Sequence, residues 1–239
     1  LDKVGETRGS LMRSLEQTRL YAKDLEGAQA SLEKSYLDAG KTIVLLLESR
    51  DPYTRGHCER VGRICRNISQ ELKLSSEDTE TIHLAAMFHD IGKVAVPDSI
   101  LLKPGPLDPQ EKAQIELHPT KSVEILRFMS FMEKALPIIE AHHEAWNGSG
   151  YPIGLRGEQI PLGARILAVA DAYDAMTSLR PYRPAFNTGE AVQRLEEGAG
   201  VSWDPRVVEA FFKAMVGTNG DATIGPPEGN RPGLSDSLS

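Results

Sequence analysis

The chain has 239 residues and a formal charge of −7, enough length for one or two domains with a sizeable core. Its 40% hydrophobic and 26% charged residues describe a soluble globular protein. The acidic balance argues against nucleic acid as the main partner, which would need a basic surface, but leaves room for a small anionic ligand held by a few local Arg and Lys residues. The two cysteines, Cys58 and Cys65, lie outside any CxxC pattern, no apolar run reaches membrane-spanning length, and no signal peptide is expected. A cytoplasmic, thiol-reducing setting is the expectation.

Residues 1–40 are rich in Leu, Glu, Lys, Ala and Gln and contain no Pro. Leu11, Thr18, Leu25, Leu32, Ala39 and Leu46 share one heptad position, and Leu15, Ala22, Gln29, Tyr36 and Ile43 share the position three residues before it. This is an imperfect coiled-coil seam, weakened by Thr18 and Gln29. Such a stripe can pack on the chain's own domain or on a second helix; a helix of about 40 residues needs a partner to bury it, so a homodimer through residues 1–46 is the expectation. The apolar run 43–47 reads as a buried helix segment. The chain opens in helical sequence without an initiator Met, so an upstream sensor or receiver domain is expected, with 1–40 as a signalling and dimerisation linker.

Residues 41–216 read as one helical domain. Val61, Ile64, Ile68 and Leu72 mark a helix face, and residues 76–79 a helix start ahead of Leu84, Ala85 and Phe88. Asp108, Pro109, Gln110 and Glu111 combine an N-cap carboxylate, Pro at the first helical position and a Glu able to reach back. Asp204 and Pro205 open another helix in the same way. Four glycines and two prolines between 148 and 161 indicate a loop or short hairpin. Residues 217–239 hold little to bury and read as a disordered tail.

Six histidines occur, at 57, 83, 89, 118, 142 and 143. His89 is followed at once by Asp90, then by Ile91, Gly92 and Lys93. Neutral imidazole and ionised carboxylate are ligands for Fe, Mn, Ni, Co or Zn. Asp171 sits in the apolar stretch ILAVAD, where an unpaired carboxylate would be costly. Taken singly, each residue has an ordinary reading: a helix histidine is usually a satisfied core or surface residue, an HD dipeptide is common, and His83 has nothing chemical around it. The joint order H…HDxGK…H…HHE…GYP…D within one helical stretch is far less ordinary.

The segments TRGHCERV, FHDIGKVAVPDSILLKPGPL, HP, HHEAWNGSGYPIGLRGEQIP and ARILAVADAYDAMTSLRPYRPA resemble, in order, the HD-GYP domain of the HD metal-dependent phosphohydrolases. The resemblance implies an all-α bundle. It implies hydrolysis of the bacterial second messenger cyclic di-GMP to pGpG, and on to GMP in some members, by a metal-bridging hydroxide. It implies one metal ion at His57, His89, Asp90 and Asp171, with Asp90 bridging to a second at His118, His142 and His143; Fe or Mn is favoured, with Ni, Co or Zn as alternatives. Lys93 would stand near the scissile phosphate, Tyr151 beside the substrate, and Arg180 and Arg183 on its phosphates. Where the family usually has Arg and Asp in this loop, the chain has Ala145 and Asn147. Where some members have a Glu supplying a third metal, it has Tyr53, so two metals are expected. Ser122 replaces a frequent Gly, with little effect expected. A catalytically silent cyclic di-GMP receptor, with protein partners of its own, and a phosphohydrolase for another cyclic dinucleotide are the competing readings.

Overall fold

The computed structural model describes residues 2–50, 55–178 and 185–217. Tyr53, Arg180, Arg183 and the expected tail from 218 onward lie outside the described residues. Among the described residues the fold is all-α, without a β-strand. The long α1 (Asp2–Arg50) precedes α2 (His57–Glu71), α3 (Ser76–Phe88), a 3-10 turn (Ile91–Ala95), α4 (Asp98–Leu101), α5 (Pro109–Glu116) and α6 (His118–Leu126). After them come α7 (Leu136–Glu140), α8 (Leu162–Thr177), α9 (Thr188–Gly198) and α10 (Pro205–Gly217).

Local chemistry sets these boundaries. Ser75 caps α3 by accepting from Asp78 N at 3.0 Å. Asp108 caps α5 by accepting from Gln110 N and Glu111 N, while Glu111 accepts from Asp108 N, so the box read from the sequence closes in both directions. Asp204 accepts from Arg206 N at the start of α10. α2 packs against α3, α8 and α10. Its face of Cys58, Val61, Ile64, Cys65 and Ile68 is buried, and Leu72 is partly buried against the same core. Both cysteines are free thiols, and burial pushes both pKa values up.

Residues 43–47 depart from the sequence expectation. Val44 is buried, but Ile43, Leu45 and Leu46 are exposed and Leu47 is only partly buried. A helix turns about 100° per residue, so five consecutive apolar side chains cannot share the one face that meets the domain. The heptad residues Leu11, Leu15, Leu25, Leu32, Tyr36, Ile43 and Leu46 all lie on solvent. No helix among the described residues is long and apolar enough to cross a membrane.

Candidate metal centre

The candidate site collects side chains from helix ends. His57 is the first residue of α2, His89 follows α3, His118 opens α6, and His142 and His143 follow α7. Asp171 projects from within α8. Three of the histidines are held by one device. His89 Nδ1 lies 2.8 Å from Ala86 O, His118 Nδ1 lies 2.8 Å from Ile115 O, and His142 Nδ1 lies 2.6 Å from Ile139 O. These carbonyls belong to the last turns of α3, α5 and α7, where backbone oxygens lack helical donors. A carbonyl only accepts, so each Nδ1 carries the hydrogen and each Nε2 keeps its lone pair. His57 follows the same logic with a carboxylate: its Nδ1 lies 2.7 Å from Asp174 Oδ2.

The Nε2 atoms converge on Asp90. Its Oδ2 lies 3.5 Å from His89 Nε2 and 3.9 Å from His57 Nε2, and accepts from Lys93 Nζ at 2.5 Å. Its Oδ1 lies 3.2 Å from His118 Nε2. His57 Nε2 is also 3.3 Å from Asp171 Oδ1. Donor atoms of His57, His89 and Asp171 fall within 4.8 Å of one another, and so do those of His118, His142 and His143. The set of His89, Asp90 and His142 joins the two groups. The structure thus brings together all seven side chains read from the sequence as candidate ligands.

These residues fit metal ions. Among the described residues, Asp90 Oδ1 is buried without a hydrogen-bond donor. His118 Nε2 and His142 Nε2 face each other at 3.3 Å, and with both Nδ1 hydrogens committed to carbonyls, two lone pairs meet. A hydrogen bond between them would need a second proton on one ring. Burial, reinforced by the neighbouring imidazoles, holds the His142 pKa well below its ordinary value. Burial and His118 push His143 down to about 3. Burial likewise lowers His89. For Asp90, burial favours the neutral acid, but Lys93 and the histidines outweigh it and hold the carboxyl well below its usual range. Ionised carboxylate and neutral imidazole are the forms that bind metal.

Several supporting residues escaped the sequence reading. Asp174, one turn after Asp171, holds His57 and is itself gripped by Arg60 through Nε at 2.6 Å and Nη2 at 3.0 Å. Glu144 is buried and accepts from Ile153 N and Gly154 N, fastening the GYP loop. Ser122 does more than fill space: its hydroxyl donates to His89 O and accepts from Gly92 N, both at 2.8 Å. Gly92 is required there because a Cβ would fall 2.1 Å from His118 O. The GYP segment is a loop without a hairpin, tied to the turn before α10 by Trp146 N to Ser202 O and Asn147 N to Val201 O. Tyr151 stacks on His143 with ring centroids 4.9 Å apart. His83 stays outside the cluster, against Gly62 of α2.

A family model described as HD domain matches residues 41–207. A cyclic di-GMP phosphodiesterase from Thermotoga maritima is 39% identical over 209 residues, which are 86% of this chain and 57% of that one. The 3'3'-cGAMP-specific phosphodiesterase 3 of Vibrio cholerae is 36% identical over 189 residues, 79% of this chain and 41% of that one. The solved structure of an HDG"Y"P protein from Bdellovibrio bacteriovorus shares the fold with a TM-score of 0.57 at 19% identity, over 77% of this chain and 63% of that one. The chain spans about half the length of the curated relatives it matches. With the family model covering most of the chain, residues 41–207, the chain belongs to the HD domain family.

Proposed function

We propose that this chain is the output domain of a bacterial signalling protein, a metal-dependent phosphodiesterase that opens cyclic di-GMP to pGpG. The observation that carries the reading is the pair of donor sets joined by the set of His89, Asp90 and His142, with the lone pairs of His89, His118 and His142 directed inward by carbonyls that can only accept. One divalent ion would be held by His57, His89, Asp90 and Asp171, and the other by His118, His142, His143 and Asp90. Mixed N and O donors suit Fe or Mn, and also Ni, Co or Zn. When bound, such a pair supplies Lewis acidity toward phosphoryl oxygens and a nucleophile at neutral pH.

The chain's own groups do the rest. Burial alone would lower the Lys93 pKa, but Asp90 outweighs burial and keeps it raised, so the ammonium stays charged beside the centre. It can offset charge on the phosphate or hand a proton to the departing 3'-oxygen. Tyr151 offers a ring face at the edge of the cluster. Arg180 and Arg183, from the sequence SLRPYR, would grip phosphate with paired donors. The 36% identity to an enzyme named for 3'3'-cGAMP supports a second reading, in which a mixed cyclic dinucleotide is the substrate.

Purified chain loaded with Mn or Fe and given cyclic di-GMP or 3'3'-cGAMP separates these readings. Linear dinucleotide should form from cyclic di-GMP at the higher kcat/KM, a chelator should stop it, and Asp90→Ala should lose both metal and turnover. Preference for 3'3'-cGAMP would favour the second reading. Intact substrate with both ions bound would point to a silent receptor.

A further inference from the structure

The last turns of α1 touch the segments that carry His57, His89 and Asp90. At Gly40 the helix meets Phe88, the residue before His89, so closely that a Cβ would fall 2.6 Å from Phe88 Cε1. Val44 is buried in the core. Arg50 pairs with Asp98 at the start of α4, just past the turn that holds Lys93. Between them, Glu48 turns its buried carboxylate to the start of α2 and accepts from Gly56 N at 2.8 Å and Cys58 N at 3.1 Å.

The residue between those two donors is His57. The first turn of a helix has N–H groups without helical acceptors, which a residue just ahead of the helix usually satisfies. Here that residue is Gly56, with no side chain to do so. A carboxylate from another helix does the capping instead. The backbone that aims His57 at Asp171 and Asp90 is therefore fixed to α1 through its N–H groups, as well as to its own helix through Gly56 O, which accepts from Arg60 N. A slide or rotation of α1 must carry the first turn of α2 with it or break two charge-assisted hydrogen bonds.

We propose that Glu48 is a positioning residue for the metal site of His57, His89 and Asp171, and that α1 sets the geometry of that site through it. This coupling presupposes the metal reading above. Donor sets keep their affinity only while the residues behind the ligands hold them in place, and loss of such support weakens binding about 10–100-fold. None of these α1 contacts is made to His118, His142 or His143, the ligands that the second site does not share, so the two sites should respond unequally.

The test titrates Mn2+ into the full chain as wild type, Glu48→Gln, Glu48→Ala and Gly40→Ala, with helicity and Tm followed in parallel. Wild type should bind two ions. Glu48→Ala should keep one at wild-type affinity and bind the other about 10–100-fold more weakly. Glu48→Gln, which retains one acceptor oxygen, should fall between. Gly40→Ala, which presses on Phe88, should weaken the same ion. Two ions at wild-type affinity in both Glu48→Ala and Gly40→Ala would overturn the coupling. Equal weakening of both ions with loss of helicity would do the same, since that is the mark of a general fold defect. A wild-type chain that binds fewer than two ions would instead overturn the metal reading, and the coupling with it.

Discussion

His57 differs from the other histidines of the centre in what holds its second nitrogen. His89, His118 and His142 donate to neutral carbonyls, whereas His57 donates to the Asp174 carboxylate. A carboxylate raises the basicity of its imidazole and fixes the ring plane. Arg60 in turn keeps Asp174 ionised: burial works toward the neutral acid, but His57 and Arg60 bring the pKa down to about 2. Asp174→Asn keeps an acceptor oxygen and removes the charge. It should weaken the ion held by His57 about tenfold while leaving the ion at His118, His142 and His143 unchanged. Competition with a coloured chelator measures both, and equal affinities in mutant and wild type would show that the carboxylate charge has no part in binding. Asn147, where the family has Asp, accepts from Ser149 N and Ser149 Oγ in a local turn. That role needs an oxygen and no charge, so the turn survives the change. Ala145 offers no such compensation.

At the scale of elements, what was legible in the sequence was local. The capping box at Asp108 and the buried face of α2 depend on residues three or four apart, so spacing alone exposes them. The seven candidate ligands were legible as a set because of the resemblance, but what holds them was not. Asp174 lies 117 residues from His57 and 114 from Arg60, and Glu48 resembles any helix carboxylate until α2 is folded against it. The run 43–47 misled because apolar length says nothing about which face a helix turns inward. α1 itself carries the next expectation. Its heptad residues lie on solvent in the single chain, and a helix of 49 residues rarely leaves such a stripe uncovered. The chain should sediment as a dimer through residues 1–46. Leu25→Glu with Leu32→Glu should shift it to monomer while metal content stays at two. A wild-type monomer at high concentration would refute the seam.

The molecule as a whole is built around groups that must be neutral to bind metal, and this sets its response to acid. His89 and His142 have pKa values lowered by burial, and His143 is lowered to about 3 against an ordinary 6.5. Below pH about 6.5 the unfolded chain takes up protons that the folded chain refuses, so stability must fall as the pH drops. His57 acts the other way. Burial would lower its pKa, but the Asp174 hydrogen bond and the nearby carboxylates outweigh burial and raise it. Its contribution is present below pH 6.5 and lost as the pH rises through its folded value. Burial lowers His83 as well, so four lowered histidines stand against one raised, and the net slope is toward instability in acid. Metal deepens the effect, because every proton on an Nε2 displaces a ligand. Urea unfolding of chelator-treated protein should give a lower midpoint at pH 5.5 than at pH 7.5. Metal-loaded protein should be the more stable at pH 7.5, and its advantage should shrink as the pH falls. A midpoint independent of pH in the stripped protein would mean that the folded chain accommodates the charged imidazoles. The inward lone pairs would then be no evidence for a metal pair.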